Sequence, residues 1–287
     1  MRSLFVFGLA NIFFSTVVAI GALAAEPDPE NTDKAVFHEH EALFDLYQPY
    51  LENISGYKPV YFLFGVKPEN TKFQLSMKYR FVNPNSFIAE TYPWFRGFHI
   101  AYTQTSFWDL KGDSKPFDDT SYKPEFFFLS PNLFSGKGQS HLFFQTGYEH
   151  ESNGQAGDTS RSTNYLYVNP IYVFFHKKSS IGFQVAPKIW TYVVNSDSTN
   201  PDLDAYRGNF SLQFKAGRAD SFVFGTRWTW AEKGHSIYMD LTYPMDHLLK
   251  ANPQLFLHVQ YVNALAESLL DYDERKEAVR IGLSIVR

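Results

Sequence analysis

Between Gly147 and Asn164 the chain reads Gly147-Tyr148-Glu149-His150-Glu151-Ser152-Asn153-Gly154 and, after a polar interval, Ser160-Arg161-Ser162-Thr163-Asn164. A hydroxyl, an imidazole and a carboxamide are the parts of an acyl-transfer relay. Ser152 Oγ attacks, His150 takes its proton, and Asn164 holds the imidazole in the tautomer that can accept it. The spacing makes that assembly feasible. On a strand His150 and Ser152 point the same way, sharing a face with Leu142, Phe144 and Tyr148, while Gln145, Glu149 and Glu151 occupy the other. A hairpin folded about Gly157 sets His150 opposite Asn164, because both are equidistant from it. Such partners have Cβ atoms roughly 4.5–5.5 Å apart. The plainer reading makes His150 and Ser152 interfacial residues beside a polar loop. The apolar parity works against it, since polar groups facing hydrocarbon cost free energy unless they bond one another.

The elements that must hold these residues are strands. From Lys58 onward the dominant period is two. Phe73, Leu75, Met77, Tyr79 and Phe81 share one face against Gln74, Ser76, Lys78 and Arg80. Val279, Ile281, Leu283 and Ile285 likewise oppose Arg280, Gly282 and Ser284. About twelve such segments can be counted, separated by turns such as Pro68-Glu69-Asn70, Asn83-Pro84-Asn85, Asn200-Pro201-Asp202 and Lys233-Gly234. No stretch reads as a long helix or a linker. A soluble sandwich would turn the apolar face inward; an outer-membrane barrel turns it to lipid around a polar lumen. Segments of nine or more residues, long charged side chains on the polar face, and Trp108, Tyr148, Trp190, Trp228 and Trp230 near strand ends favour the barrel. The expected fold is therefore all-β, an antiparallel transmembrane β-barrel of about twelve strands. One departure is the ending Ile285-Val286-Arg287, where many such barrels end in an aromatic residue.

Composition narrows the function. With 26 basic and 30 acidic residues among 287 the net charge is −4, which removes the electrostatic case for nucleic-acid binding. The absence of cysteine excludes disulfides, thiolate metal sites and a cysteine nucleophile. Beyond the N-terminus the longest stretch free of Asp, Glu, Lys and Arg is the 16 residues Ala251–Ala266, too short for a spanning helix. Arg2, an uncharged run from Ser3 to Ala25 and small residues at Ala22-Leu23-Ala24 read as a signal peptide over residues 1–24. The other reading of that run is an uncleaved membrane anchor. Residues 25–56 read as a periplasmic or loop segment, and 57–287 as the barrel.

The run His150-x-Ser152-Asn153-Gly154, followed by Ser160-Arg161-Ser162-x-Asn164, resembles the active-site signature of the outer membrane phospholipase A family. Segments resembling the family in family order extend over most of the mature chain. They are Lys72-Phe73-Gln74-Leu75-Ser76, Tyr102-Thr103-Gln104-x-Ser106-x-Trp108, Pro116-Phe117 with Thr120-x-Tyr122-x-Pro124, and Glu267-Ser268-Leu269-Leu270-Asp271-Tyr272. The resemblance implies a twelve-stranded barrel in the bacterial outer membrane, its active site toward the cell surface. It implies hydrolysis of acyl esters of phospholipids and lysophospholipids, dependent on calcium and switched on in a homodimer. By the same likeness Ser152 is the nucleophile, His150 the base and acid, Asn164 the orienter, and Gly154 an oxyanion-hole donor. Calcium falls to Gln155 and Ser160 of one chain and Ser114 of its partner, although the family often has a basic residue where Gln155 stands and the loop before Pro116 is shorter here. Gln104 interrupts the apolar stripe Phe98, Ile100, Tyr102, Ser106, Trp108. It reads either as a surface residue near the interface or, by the resemblance, as the glutamine of the dimer contact.

Two other functions compete. A catalytically silent structural or pore-forming barrel would keep the motif without turnover; bulky groups on the lumen face (Phe107, Tyr165, Tyr167, Arg227) weigh against a pore. A secreted β-sandwich lectin or lipase would be extracted without detergent. Glu149, Glu151 and Asp271, off the lipid face, read as a structural charge network.

Overall fold

Side-chain parity decides the architecture, because a closed antiparallel sheet sends alternate residues to its two surfaces. The computed structural model describes residues 53–134, 139–195, 199–247, 249 and 254–287. Its strands are β1 (Ile54–Gly56), β2 (Val60–Gly65), β3 (Thr71–Arg80), β4 (Phe98–Trp108) and β5 (Phe117–Leu129). Next come β6 (Ser140–Ser152), β7 (Ser162–His176), β8 (Ile181–Tyr192) and β9 (Phe210–Gly217). The last are β10 (Val223–Ala231), β11 (Gly234–Pro244), β12 (Phe256–Leu265) and β13 (Arg275–Val286). Strands β2 to β13 pair antiparallel in chain order, and β13 closes the ring on β2. The chain is thus a closed twelve-stranded antiparallel barrel.

Strand β1 completes the first stave. It pairs with Met77–Tyr79 of β3, and β2 pairs with Lys72–Gln74 of the same strand. Pro59, which has no N–H to give, lies in the break between them. There the Lys58 N–H turns to Ser76 Oγ at 3.0 Å, and Gln74 Nε2 donates to the Pro59 carbonyl at 2.8 Å. Pairing therefore begins at Ile54, ahead of the boundary expected at 57. The leader expected at 1–24, and residues 25–52, lie outside the described residues.

The outer wall is apolar: Leu75, Met77, Ile100, Phe126, Leu166, Ile189, Val279, Ile281 and Ile285 are all exposed. Such a belt belongs in hydrocarbon. The interior holds buried Glu125 and Arg280, and buried Lys72, Glu149 and Glu151 line a cavity of about 540 Å³ there. Among the expected interfacial aromatics, Trp228 and Trp230 are exposed on the outside. Trp190 is the exception, buried against Tyr165 and Tyr167, because its parity on β8 faces the lumen.

Two five-residue helices lie in connections, α1 (Phe87–Thr91) and α2 (Leu203–Arg207). Ser86 caps α1 by accepting from the Ala89 N–H at 3.3 Å. Helix α2 sits in the β8–β9 connection and packs Leu203 with Ala266, Leu269 and Tyr272 of the β12–β13 connection. Tyr272 Oη donates to Asp202 at 2.7 Å, and Asp119 accepts from the Leu269 and Leu270 N–H groups at 3.1 and 3.0 Å. Burial and the Asp202 carboxylate push the Tyr272 phenol up to about 12. These contacts tie together the connections at the barrel end where β6 gives way to β7.

Candidate active site

The β6–β7 hairpin pairs His150 with Asn164 and Ser152 with Ser162, the register that a fold about Gly157 requires. Both Gly154 and Gly157 carry positive φ, 67° and 66°. Asn153 organises the turn between them. Its Oδ1 accepts from the Arg161 N–H at 3.0 Å and the Gln155 N–H at 3.3 Å, and its Nδ2 donates to the Thr159 carbonyl at 2.8 Å. A Cβ at Gly154 would lie 2.8 Å from Tyr122 Cε2, so both the backbone angle and the space demand glycine.

His150, Ser152 and Asn164 are half-buried on the outer wall, beside the exposed cross-strand pair Tyr148 and Leu166. His150 Nδ1 lies 2.8 Å from Asn164 Oδ1. Asn164 Nδ2 donates to the Val194 carbonyl at 3.1 Å, which can only accept. Its Oδ1 must therefore face His150, and Nδ1 must carry the proton. That leaves Nε2 as the basic nitrogen. Asn164 is itself held by its backbone: its N–H donates to Asn195 Oδ1 at 2.7 Å, and its carbonyl accepts from the Val193 N–H at 2.9 Å and Asn195 Nδ2 at 3.3 Å. Val194 has a φ of 51°, which a β-branched residue rarely adopts. The strain sits where its carbonyl meets the amide.

Ser152 shares the wall face with His150, but its hydroxyl makes no hydrogen bond to another described residue. Two positions along a strand separate Cα atoms by roughly 6.6 Å. Register alone therefore brings His150 to Asn164, whereas a serine–histidine hydrogen bond, not formed here, would depend on rotamers. Such bonds are often loose in the absence of substrate. The Gly154 N–H likewise donates to no described residue and stays available on the Ser152 side of the turn.

The remaining expected residues divide by location. Gln155 is exposed in the turn and Ser160 is half-buried at its end. Neither the Gln155 side chain nor the Ser160 hydroxyl bonds another described residue. Uncommitted neutral oxygens suit a hard cation such as calcium, which takes six to eight oxygen ligands, but two side chains cannot complete that shell. No cluster of three or more His, Asp or Glu able to hold a metal occurs among the described residues. Ser114, exposed in the β4–β5 turn at a φ of 63°, belongs to a different connection. Gln104 pairs with Tyr122, and Tyr122 with Ser152, so all three lie in one row of the wall. The Gln104 amide accepts from Tyr102 Oη at 3.2 Å and donates to Ser106 Oγ at 3.3 Å.

Sequence reasoning places Tyr148 only on the apolar face. Its hydroxyl donates to Asn164 Oδ1 at 2.6 Å. The available signal is its parity, shared with His150 two positions later. Val194 and Asn195 leave no such signal: they reach Asn164 from a connection about thirty residues along the chain. Asn200, notable in the sequence for its turn, also meets the hairpin, accepting from the Ser162 N–H at 3.2 Å.

Across known proteins, residues 35–285 match the family profile for Phospholipase A1. Phospholipase A1 of Escherichia coli strain K12 is 27% identical over 228 residues, covering 77% of this chain and 71% of that protein. An active-site variant of Escherichia coli outer membrane phospholipase A, with asparagine changed to alanine, has a similar structure. The TM-score is 0.64 at 25% identity, covering 82% of this chain and 91% of that one. The Salmonella typhi outer membrane phospholipase, solved as a dimer with bound calcium, has the same fold. Its TM-score is 0.65 at 24% identity, covering 86% of this chain and 96% of that one.

Proposed function

The chain belongs to the phospholipase A1 family, and from that premise we propose that it hydrolyses acyl esters of phospholipids and lysophospholipids in the bacterial outer membrane through Ser152, His150 and Asn164. The observation that carries the assignment is the 2.8 Å contact between His150 Nδ1 and Asn164 Oδ1 on the lipid-facing wall. An imidazole held in its Nδ1–H tautomer there keeps Nε2 as a base, two positions from Ser152 on the same face of β6.

The chemistry follows from those positions. The lipid stays in its leaflet while its ester meets the wall. Ser152 Oγ attacks the acyl carbon as His150 Nε2 removes the hydroxyl proton, and the carbonyl π electrons move onto oxygen. The Gly154 N–H donates to that oxyanion. When the intermediate collapses, the bond to the glycerol oxygen breaks and His150 Nε2–H protonates the leaving oxygen. Water then attacks the acyl-serine with His150 again as base, releasing fatty acid and restoring Ser152. Asn164 keeps the imidazolium oriented throughout.

Gln155 and Ser160, with Ser114 of a second copy, are the proposed calcium ligands. Bound there, calcium would offset charge developing on the carbonyl oxygen. Both groups from this hairpin lie in or beside the exposed turn, and a shell they cannot fill alone accords with activity in a homodimer. The similar Salmonella protein, solved as a dimer with bound calcium, supports this reading. The asparagine named in the Escherichia coli active-site variant supports the role of Asn164. The site faces the cell surface, and residues 1–24 are removed on export.

Fatty-acid release from phospholipid micelles at saturating calcium tests the assignment. Release falls at least about 1,000-fold in Ser152→Ala, and a sulfonyl fluoride labels Ser152 only with calcium present. Activity that survives in Ser152→Ala rejects the mechanism.

A further inference from the structure

Asn164 differs from a carboxylate in one respect: rotated by 180° about its last bond, it presents hydrogens where it had presented oxygen. A flipped amide would offer Nδ2 to His150 Nδ1, which would then have to give up its proton. The proton would move to Nε2, and the base needed by Ser152 would be lost. An asparagine in this position has to be kept from flipping.

Two contacts oppose the flip. The Val194 carbonyl takes a hydrogen from Nδ2 at 3.1 Å, and Tyr148 Oη gives a hydrogen to Oδ1 at 2.6 Å. With His150 Nδ1 at 2.8 Å, both acceptor positions of Oδ1 are filled. A flip would set Nδ2 against the His150 proton and a carbonyl oxygen against Oδ1. A phenol can also accept, but a flipped Nδ2 donating to it would leave the hydrogen of Tyr148, an exposed residue of the lipid-facing wall, turned to hydrocarbon with no acceptor.

We propose that Tyr148 is a positioning residue that locks the Asn164 amide, through a hydrogen bond to Oδ1, in the rotamer that makes His150 a base. The proposal rests on the catalytic assignment above. The phenol matters not for lipid contact but because an amide has two unlike ends.

That reason supplies its own test, since a carboxylate has two like ends and needs no lock. Tyr148→Phe lowers kcat about 3- to 10-fold, the effect of one hydrogen bond, with KM unchanged. In an Asn164→Asp background the same substitution lowers kcat less than about 1.5-fold, because flipping changes nothing there. An equal loss in both backgrounds places the phenol's effect elsewhere and overturns the proposal, as does no loss in the Asn164 background. Should the Asn164→Asp background turn over too slowly to read, 15N spectra of histidine-labelled protein in micelles decide instead. Tyr148→Phe shifts His150 from the Nδ1–H toward the Nε2–H tautomer, and an unchanged tautomer overturns the lock. Failure of the underlying assignment looks different: Asn164→Ala then keeps full activity, whatever Tyr148→Phe does.

Discussion

Residues 149 to 152 of β6 divide their side chains between two environments. Glu149 and Glu151 point into the barrel and His150 and Ser152 out of it, yet they are consecutive in the chain. Inside, both carboxylates are answered. Glu149 lies 3.3 Å from Lys58 and 3.5 Å from Lys188 and accepts from Tyr165 Oη; Glu151 lies 3.2 Å from Lys123 and 2.7 Å from Arg207. Burial disfavours the Arg207 guanidinium, but the Glu151 charge beside it outweighs that and raises its pKa. Outside, the contacts are fewer and neutral, and the Ser152 hydroxyl makes none with a described residue. At these two positions the inner face commits its carboxylates to cations. The outer face leaves the Ser152 hydroxyl and His150 Nε2 without a partner among the described residues, as the roles proposed for them require.

The contrast is broken most sharply by removing one residue from each side. His150→Ala, on the outer face, lowers turnover at least about 1,000-fold while leaving the unfolding transition in micelles within roughly 1 kcal/mol of wild type. Glu149→Ala reverses the pattern. Its side chain is 3% exposed, and its loss takes the carboxylate from Lys188 and leaves Lys58 with Glu125 alone, so destabilisation of about 3 kcal/mol is expected, with normal turnover per folded molecule. If Glu149→Ala abolished turnover in protein that remains folded, the division between the faces would fail.

Acid sharpens the same contrast at a second point. Glu267, in the β12–β13 connection, lies 3.1 Å from Lys72 and 2.7 Å from Arg280. Burial alone would push its carboxyl up, but those two cations hold it below the usual carboxylate range. A lowered folded-state pKa means the unfolded chain binds the proton first as pH falls. The contribution is therefore complete above the unfolded value of about 4.3 and is lost as pH drops through the folded value. The melting-temperature gap between wild type and Glu267→Gln should be constant from pH 7 to about 5 and narrow below about 4.3. A gap independent of pH down to about 3 would remove Glu267 from the acid-labile set.

How much of this is legible in the sequence follows from the distance over which each feature is determined. Period two gives the strands, and two equidistant positions about Gly157 give the His150–Asn164 pairing, since both are properties of neighbours along the chain or across one hairpin. Glu149 and Glu151 can be assigned to the interior by parity alone. Their partners cannot, because Lys58, Lys188 and Arg207 arrive from three other parts of the chain. Trp190 misleads for a related reason: an aromatic near a strand end suggests the girdle, while its parity on β8 sends it inward. Helices α1 and α2 are five residues each, shorter than any period can reveal. The grip of Val194 and Asn195 on Asn164 depends on how a long connection folds back, which no local pattern encodes.

The smallest expected effect lies on the outer face, in the row that joins Gln104 to Ser152 through Tyr122. Adjacent strands lie about 4.8 Å apart, which puts Gln104 roughly 10 Å from Ser152, close enough for a second copy seated on Gln104 to border the site. Its amide is not idle in the single chain. The bonds to Tyr102 and Ser106, at 3.2 and 3.3 Å, are long, and Ser106 Oγ also accepts from Thr120 Oγ1 at 3.0 Å. A contact across a dimer would therefore exchange weak internal bonds for a better one rather than satisfy a bare amide in hydrocarbon. That places Gln104→Ala at the low end of the membrane range, about 0.6–1 kcal/mol, or roughly a 3- to 5-fold loss in dimer affinity by sedimentation equilibrium in detergent with calcium. Turnover should fall only at protein concentrations where dimers become scarce and recover when the concentration is raised. A loss of turnover that concentration does not restore would mean that Gln104 acts through Tyr122 on its own chain's site. The row would then be a conduit within one barrel rather than a seam between two.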